Sequence, residues 1–515
     1  MSDEAPERPP RAAGMGCLTA APHPLLLDLL YAPQFAKDRE EVLPWLLRID
    51  AAHLVMLAER GILPQETAAG LLQVNRELAA RRRAGESIVE PPPVHRGLYM
   101  VYERCYVDRL GPEAGGAAHV ARSRNDINAT VARMRSRDGL IAVLEAGGEL
   151  LATALGLARR HSATPMSGFT HFQPAQPTTF GHYLAGVASE LLRSLDQLAG
   201  SVNRSPLGAG AGLGTSFPID QELTASLFGF DGAVPNSLDA VASRDYAVQV
   251  LAALSILGIT LTRLSFDLQT WGSVAYGFLR WPDHLVSTSS MMPQKRNAFV
   301  LENIRGQAVK PAGKLVAALL RMKSTPFSNS VEVGSEATSP LWPALGSART
   351  AVQLTGLVLR EVEVDAARMR GFLEGAETTM TALADHLAAR HGLPFRTAHE
   401  AVGRFLQRAP SAEPPSAAAV REGLQQILDE TAGGAMVLDE AEIARALDPV
   451  ACIEAASHGG GPAPDAVRSQ LANLERACQD LVAQVAAWRQ GLERAEALLD
   501  ERVEFLLREQ GGAGE

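Results

Sequence analysis

Hydrophobic residues recur every three or four positions through long stretches of this 515-residue chain, and this spacing limits the possible folds more than any other feature. In residues 39–61, for example, Val42, Leu43, Leu46 and Leu47 begin such a pattern before Gly61 ends it. Few stretches show the alternating pattern that β-strands need, and aromatic residues make up only 5% of the chain. The sequence therefore predicts an all-α protein.

Changes in the helical pattern divide the chain into three predicted helical domains. Residues 1–120 begin with a Pro/Arg/Glu-rich lead-in, 1–16, that we expect to be disordered. Residues 121–373 carry long helices, including one predicted from 244 to about 278, and should form a central bundle. Residues 374–515 contain shorter helices and end in a charged amphipathic helix, 464–510. A chain of this length usually exceeds what a single core supports.

Composition argues against several classes of function. The formal net charge is −10 and the Lys and Arg residues are scattered, so nucleic-acid binding is not expected. The four cysteines are far apart, which predicts neither a disulfide framework nor a zinc site and suits a reducing cytoplasm. The lead-in has no apolar core typical of a signal peptide. The most apolar run, 247–261, is shorter than a membrane span, so we expect a cytoplasmic protein with no membrane partner.

Three polar loops interrupt the predicted bundle. The first, 122–126, reads Arg-Ser-Arg-Asn-Asp and has two interpretations. It could be a solvated turn in which Asn125 or Asp126 caps the following helix. Alternatively, the hydroxyl of Ser123, the guanidinium of Arg124 and the amide of Asn125 could bind a carboxylate, because helix N-termini favour anions.

The second loop, 166–177, contains Thr170, His171 and Gln173. Since Gly168 and two prolines flank the histidine, this segment should be bent and non-helical. His171 could be a core histidine satisfied by its neighbours, or it could present its imidazole to a cleft as an acid or base.

The third loop, 289–297, places Ser289 six residues before Lys295 and ends at Asn297. Pro293 in its middle excludes a continuous helix. The segment could be a hydrophilic surface crossover. It could equally combine a proton acceptor with a cation and donors that stabilise negative charge.

The third loop, Ser289-Ser-Met-Met-Pro-Gln-Lys-Arg-Asn297, resembles the signature loop of the fumarase/aspartase superfamily, whose lyases eliminate across a succinyl C–N or C–O bond. Further stretches, in the family's order, are similar to argininosuccinate lyases: 121–126, 168–177, 206–211, 236–241 with 244–245 after it, 393–403, 447–449 and 459–464. The likeness covers roughly residues 40–475. It implies a three-domain fumarase/aspartase-type fold and a homotetramer whose active sites each take loops from three subunits.

The resemblance also implies roles for individual residues in a β-elimination that needs no metal or other cofactor. Ser289 would be the base, and Lys295 and Asn297 would stabilise the aci-carboxylate that develops. His171, paired with Glu302, would protonate or orient the leaving nitrogen. The remaining implied residues would bind a small-molecule carboxylate substrate: Ser123, Arg124, Asn125, Thr170, Gln173 and, less directly matched, His95.

Several positions depart from the argininosuccinate lyase pattern. Thr288 stands where a glycine is expected, and Ala298 and Phe299 replace a Pro-Asp pair. By ungapped comparison Asn329, Gly334 and Ala337 take the places of a tyrosine, a glutamine and a lysine that hold substrate. These departures favour a lyase for a different N-substituted succinate or related acid, releasing fumarate or running as the reverse addition.

Two alternatives stay open. The chain could be a true argininosuccinate lyase of arginine biosynthesis whose missing contacts are replaced by Arg321, Lys323 or a partner subunit. It could also be a catalytically silent structural or binding homologue that kept the fold, although such a role would not require the set of Ser289, Lys295, Asn297, His171 and Glu302.

Overall fold

The computed structural model describes residues 20–200, 203–408, 415–432 and 436–511. The lead-in predicted to be disordered lies outside these residues. Helices dominate the described chain, and the strands form three two-stranded antiparallel sheets. The all-α prediction is therefore confirmed. The predicted domain boundaries at 120 and 373 stay a prediction.

The N-terminal region is a set of helices around one apolar cluster. Its elements are α1 Pro24–Leu26, a π-turn Leu27–Tyr31, α2 Ala32–Glu41, α3 Leu43–Glu59, α4 Gln65–Arg83, α5 Leu98–Gly116 and a 3-10 turn Ala117–His119. Gly111, at φ 79°, kinks α5 just before Pro112. Proline cannot continue the hydrogen-bond pattern of a helix, so the kink lies where the sequence disfavours a continuous helix.

The central region holds the longest helices of the bundle. Its elements up to the third loop are α6 Arg124–Arg160, β1 Pro165–Thr170, β2 Gln173–Thr179, α7 Phe180–Ala199, α8 Gln221–Leu227, α9 Ser237–Ala242, α10 Asp245–Trp271, β3 Leu279–Arg280, a 3-10 turn Asp283–Leu285 and β4 Ser287–Thr288. Its later elements are β5 Arg296–Asn297, α11 Phe299–Ala308, α12 Lys310–Met322, a π-turn Glu332–Glu336, α13 Leu341–Glu361, β6 Glu363–Val364 and α14 Ala366–Glu374.

The bundle core lies between α6, α7, α10, α11 and α13, which pack on one another. Both α6 and α10 are long and apolar enough to cross a membrane by length and composition alone, so the run 247–261 belongs to a longer apolar window than the sequence predicted. In the fold they are core helices, since 67% and 56% of their apolar windows are buried inside the protein.

The helix predicted from 244 to about 278 is shorter than expected, because α10 ends at Trp271. Gly272 follows, and a Cβ there would meet the Trp281 ring at 1.8 Å. A side chain at this position is therefore excluded, and the chain turns so that Phe278 is buried and β3 can pair with β6.

The C-terminal region contains α15 Met380–His391, α16 Phe395–Arg408, α17 Ala417–Ala432, α18 Glu440–Leu447, α19 Pro449–Ala455 and α20 Pro464–Gly511. The helices α15 to α18 enclose their own small apolar cluster. The 48-residue helix α20 packs on the other two apolar clusters. Its apolar face supplies Leu471 and Leu481 to the bundle core and Leu499 to the N-terminal cluster, so it packs along both.

Candidate active site

The third loop is closed by a short β-hairpin. Strands β4 and β5 pair so that Ser287 lies opposite Asn297 and Thr288 opposite Arg296. Ser289 follows Thr288 and Lys295 precedes Arg296, so both stand where the ladder opens into the loop. The fold thus brings together a serine and a lysine that are six residues apart in sequence.

Ser289 lies in a turn that surrounds its oxygen with backbone donors. Its Oγ accepts hydrogen bonds from the backbone N–H groups of Met291 at 3.3 Å and Met292 at 3.1 Å. Hydrogen bonds to the charged form of a group favour that form. Two donors directed at one hydroxyl oxygen would therefore stabilise the alkoxide that a serine base requires.

The two adjacent basic residues have different surroundings. Arg296 is anchored to the base of the loop by an ion pair with Asp283 and a hydrogen bond from Nη2 to the Trp281 carbonyl at 2.9 Å. Lys295 is exposed, and among the described residues its ammonium has no hydrogen-bond or ion-pair partner. Arg296 therefore fixes the loop, while Lys295 is available to bind an anion.

Glu302 is on the first turn of α11, where it is held by a neighbouring helix. Its Oε1 accepts a hydrogen bond from Gln269 Nε2 at 3.0 Å, and Gln269 Oε1 accepts one from Arg305 at 2.5 Å. No hydrogen bond joins Glu302 to His171 within the described chain. The pairing of these two residues stays a prediction.

The second loop is a tight β-hairpin rather than an irregular bend. Thr170 pairs with Gln173, leaving His171 and Phe172 as a two-residue turn. Both turn residues have positive φ, 52° and 62°, as a type I′ turn requires. The left-handed region is unfavourable for residues other than glycine. Backbone strained by a positive φ is concentrated at functional sites. The turn exposes Thr170, His171 and Gln173 to solvent at its tip.

The first loop begins α6 with a capping box. Ser123 is the N-cap, its Oγ accepting from the Asn125 N–H at 3.4 Å, and its own N–H donates to Asp126 Oδ1 at 2.9 Å. The predicted helix start is present, but its N-cap is Ser123 rather than Asn125 or Asp126, and Asp126 is the N3 residue of the capping box. Arg124 is the first helical residue and is exposed at the N-terminus of α6.

Asp126 connects this loop to a glycine-rich one. Its Oδ2 accepts from the backbone N–H groups of Gly208 and Gly210, both at 3.0 Å. The two glycines have φ of 90° and 60°, which other residues rarely adopt. Burial raises the pKa of Asp126 to about 6, while the N–H bonds from Ser123 and the glycines oppose that shift.

A buried ion pair lies beneath the first loop. Arg122 Nη1 is 2.6 Å from Asp50 Oδ1, and both side chains are 1% exposed. Asp50 Oδ2 also accepts from the hydroxyls of Tyr102 and Tyr106 at 2.6 and 2.9 Å. Burial opposes the charge of Arg122, but the Asp50 carboxylate more than offsets this and raises the pKa of Arg122 above its usual range.

Next to this pair, Ala121 is held at a φ of 63°. The carbonyl of the preceding residue, Val120, lies 2.8 Å from His53 Nε2, and burial, with Arg122 nearby, lowers the pKa of His53 to about 3. His53 is therefore neutral, and its Nε2–H donates to Val120. The contact of His53 with Val120 and the ion pair of Arg122 with Asp50 thus maintain a strained backbone at Ala121, two residues before Ser123.

Asn125 is joined to the segment that departs most from the family pattern. Its Oδ1 accepts from Asn329 Nδ2 at 2.9 Å, and its Nδ2 donates to the Ala211 carbonyl at 3.3 Å. Ala337 is 1% exposed, and a Cβ at Gly334 would lie 3.1 Å from Asn329 Oδ1. None of these three positions presents a charged side chain to the loop.

His95 lies in an aromatic environment. Its ring is 5.0 Å from that of Phe35 and 6.5 Å from that of Tyr31, it is 7% exposed, and burial lowers its pKa. Its surroundings are those of a packed histidine, and its role in binding substrate stays a prediction.

The structure brings some of the predicted residues together and leaves others apart. Ser123, Arg124 and Asn125 share one helix start, and Ser289, Lys295 and Asn297 share one hairpin. Among the described residues, no hydrogen bond or ion pair links any one of the three loops to another. Within one subunit, the three loops are therefore held separately.

Comparisons with known proteins show which family the chain resembles. Residues 55–313 match the family described as "Lyase", and residues 377–454 match "Argininosuccinate lyase C-terminal". The chain is 34% identical over 491 residues to argininosuccinate lyase 1 of Shouchella clausii, covering 94% of this chain and 97% of that protein. It is 37% identical to the argininosuccinate lyase of Methanoculleus marisnigri, covering 87% and 89%.

Among solved structures, EDDS lyase in complex with formate superposes with a TM-score of 0.83 at 28% identity, covering 95% of this chain and 97% of that one. The chain belongs to the fumarase/aspartase superfamily and is argininosuccinate lyase-like. It is an enzyme, a carbon–nitrogen lyase.

For this argininosuccinate lyase-like chain, sequence reasoning missed the residues that position the loops. Gln269 holds Glu302, Asp50 holds Arg122, and Asp126 holds the glycine loop. The charged residue Asp50 inside the apolar pattern of α3 was a usable signal, because an unpaired buried carboxylate is costly and needs a partner. Gln269 carried no such signal, since a glutamine on a helix is usually a solvated side chain.

Proposed function

We propose that this lyase catalyses β-elimination on an N-substituted succinate or a related carboxylic acid, releasing fumarate, or the reverse addition. The observation that carries the proposal is the third loop, in which two backbone N–H groups surround Ser289 Oγ while Lys295 has no partner among the described residues. That arrangement provides a base and an anion-binding cation on one hairpin.

In the proposed reaction Ser289, as the alkoxide, removes the proton from Cβ of the substrate. The resulting carbanion is delocalised into the neighbouring carboxylate as an aci-carboxylate, which Lys295 and Asn297 stabilise. One well-placed donor of this kind is typically worth about 3–4 kcal/mol of barrier. The C–N bond then breaks, and His171, oriented by Glu302, supplies a proton to the leaving nitrogen.

The substrate carboxylates would bind at the other two loops. Arg124 and the N-terminal N–H groups of α6 offer a guanidinium and a helix dipole, both of which favour anions. Ser123 and Asn125 add polar groups at the same helix start, and Thr170 and Gln173 flank His171 at the hairpin tip.

We further propose that the preferred substrate is not argininosuccinate. The lysine expected at position 337 is a buried alanine, and Asn329, which replaces a tyrosine, bonds to Asn125. Loss of a charge-assisted hydrogen bond to a carboxylate removes roughly 1.5–3 kcal/mol. A substrate with one carboxylate fewer, or with that carboxylate displaced, would not need the missing lysine.

The alternative, a true argininosuccinate lyase, is separated from this proposal by a direct assay. Purified protein is incubated with argininosuccinate, and fumarate formation is followed by its absorbance. We expect turnover far below the range usual for enzymes on their own substrates, about 1–1000 per second. Turnover within that range would support the alternative and contradict the proposed specificity. A parallel panel of N-substituted succinates, read by mass spectrometry, should identify the preferred substrate.

We also propose that the protein is a cytoplasmic homotetramer whose sites each combine loops of three subunits. Apolar side chains form an exposed stripe on α10, at Ile256, Ile259 and Phe266, and another on α12, at Val316, Leu319 and Leu320. Exposed apolar stripes on the helices of a single subunit are typical of surfaces that become buried between subunits.

Mixing two inactive variants tests the shared site. Tetramers of His171→Asn and of Ser289→Ala are dissociated, mixed and reassembled. If each site takes these residues from different subunits, some mixed sites contain neither substitution, and activity returns to a fraction of the wild-type rate. No recovery in verified mixed tetramers would show that one subunit supplies both residues.

A further inference from the structure

Three side chains that can bind a metal ion meet in the C-terminal region, and none of them is among the residues assigned to catalysis. His386 and His391 lie on the last two turns of α15, and Glu442 lies on the first turn of α18. The Nε2 atom of each histidine is 3.6 Å from Glu442 Oε2, and the three ligand atoms lie within 4.8 Å of one another.

Among the residues that the structure describes, the two imidazole Nε2 atoms have no hydrogen-bond partner although they are buried. His386 Nε2 and His391 Nε2 are both without one, and their separation from Glu442 exceeds hydrogen-bond length. A buried polar atom left unsatisfied costs about 1–3 kcal/mol. Two such atoms directed at one carboxylate therefore need an explanation that ion pairing does not supply.

A bound metal ion would satisfy all three groups. Bonds of about 2.0–2.2 Å to nitrogen and carboxylate oxygen place neighbouring ligands of a tetrahedral ion roughly 3.3–3.5 Å apart. The two nitrogen–oxygen separations here, 3.6 Å each, are close to that distance. Two imidazoles and a carboxylate suit zinc and its neighbours, whereas magnesium and calcium prefer oxygen ligands alone. Three protein ligands leave a fourth position for water.

We propose that His386, His391 and Glu442 form a binding site for a divalent ion of the zinc class. The ion would connect the end of α15 to the start of α18. Both helices contribute to the C-terminal apolar cluster through Leu383, Leu387 and Ile443, so the bound ion stabilises the packing of that cluster. The proposal is independent of the elimination chemistry.

The test is titration of the metal-free, full-length protein with Zn²⁺ by calorimetry and with Co²⁺ by visible absorption. Wild type should bind one ion per subunit, give the d–d absorption of a nitrogen- and oxygen-ligated Co²⁺ ion, and melt at a higher temperature with the ion bound. His391→Gln and Glu442→Gln should each weaken metal binding by on the order of 100-fold. Loss of a residue that only hydrogen-bonds to a metal ligand already lowers metal affinity by about 10–100-fold.

Two matched controls lie close to the site. His399→Gln and Glu440→Gln change an exposed histidine on α16 and an exposed glutamate on α18, and both should bind as wild type does. Equal loss in control and site variants would overturn the proposal. So would the absence of stoichiometric binding and of Co²⁺ absorption in wild type, a result that depends on no variant folding correctly.

Discussion

Single buried residues beneath the first loop carry charge or strain that determines where the side chains proposed to bind substrate lie. Asp50, His53 and Arg122 are almost fully buried, yet they are hydrogen-bonded or paired with groups on other elements. The sequence could predict which loop is polar. It could not predict these partners, because they come from helices up to 72 positions away and follow no local spacing.

His53 makes folding stability depend on pH. Its folded-state pKa is lowered to about 3 by burial from an ordinary 6.5, so below pH 6.5 the unfolded chain binds a proton that the folded chain excludes. The contribution of His53 to the free energy of unfolding is complete above pH 6.5. As the pH falls towards the folded pKa, this contribution decreases by roughly 1.4 kcal/mol per pH unit.

Replacing His53 with glutamine should keep the donor to Val120 and remove the titration. The effect of His53 changes between its folded and unfolded pKa values, and a pH of about 4.5 lies near the middle of that range. Melting temperatures measured between about pH 7 and pH 4.5 should therefore fall less steeply for His53→Gln than for wild type. His399→Gln, which changes an exposed histidine, should follow the wild-type slope. Parallel slopes for all three proteins would contradict a neutral buried His53.

Whole elements were predicted well where one face of a helix is buried. The helix α20, Pro464–Gly511, begins and ends within one residue of the predicted bounds 464–510, because its apolar spacing and terminal residues agree. The β1–β2 hairpin was predicted only as a non-helical bend. Its turn, His171-Phe172, lacks the Asn-Gly or Gly residues that usually indicate a type I′ turn, so no local pattern marked it.

This turn gives a prediction about His171. Asparagine tolerates the left-handed region, so His171→Asn should keep the hairpin and the melting temperature while losing the imidazole. The kcat should fall by about 100- to 10,000-fold, the usual contribution of a general acid or base. His171→Val should lose activity and also melt lower, because a β-branched residue fits this φ poorly. Wild-type kcat in His171→Asn would remove His171 from the proposed mechanism.

Across the whole molecule, the three loops share no hydrogen bond or ion pair among the described residues, and the central helices α10 and α12 expose apolar stripes. The resemblance implied a homotetramer with sites shared between subunits, whereas the periodicity of the chain alone predicted a bundle and no partner. Composition could not indicate the stripes, since scattered surface apolar residues are normal in single subunits.

Placing a charge on the α10 stripe should therefore disrupt assembly. Ile259 is 56% exposed in the single chain, so an aspartate there is tolerated by the subunit but would be desolvated between subunits. Ile259→Asp should lower the mass measured by light scattering and abolish activity together. Val437→Asp, at an isolated exposed valine, should leave both unchanged. A fully active, monomeric Ile259→Asp protein would contradict sites shared between subunits.

The most direct test of the proposed chemistry compares two adjacent serines in the third loop. Ser289 Oγ accepts two backbone N–H bonds, whereas Ser290 is exposed and accepts none from the described part of the chain. Fumarate release from the preferred N-substituted succinate is measured for Ser289→Ala and Ser290→Ala. The account predicts a loss of about 100- to 10,000-fold in kcat for Ser289→Ala, the contribution of a general base, and near wild-type activity for Ser290→Ala. Wild-type activity in Ser289→Ala, with the protein folded and tetrameric, would contradict it.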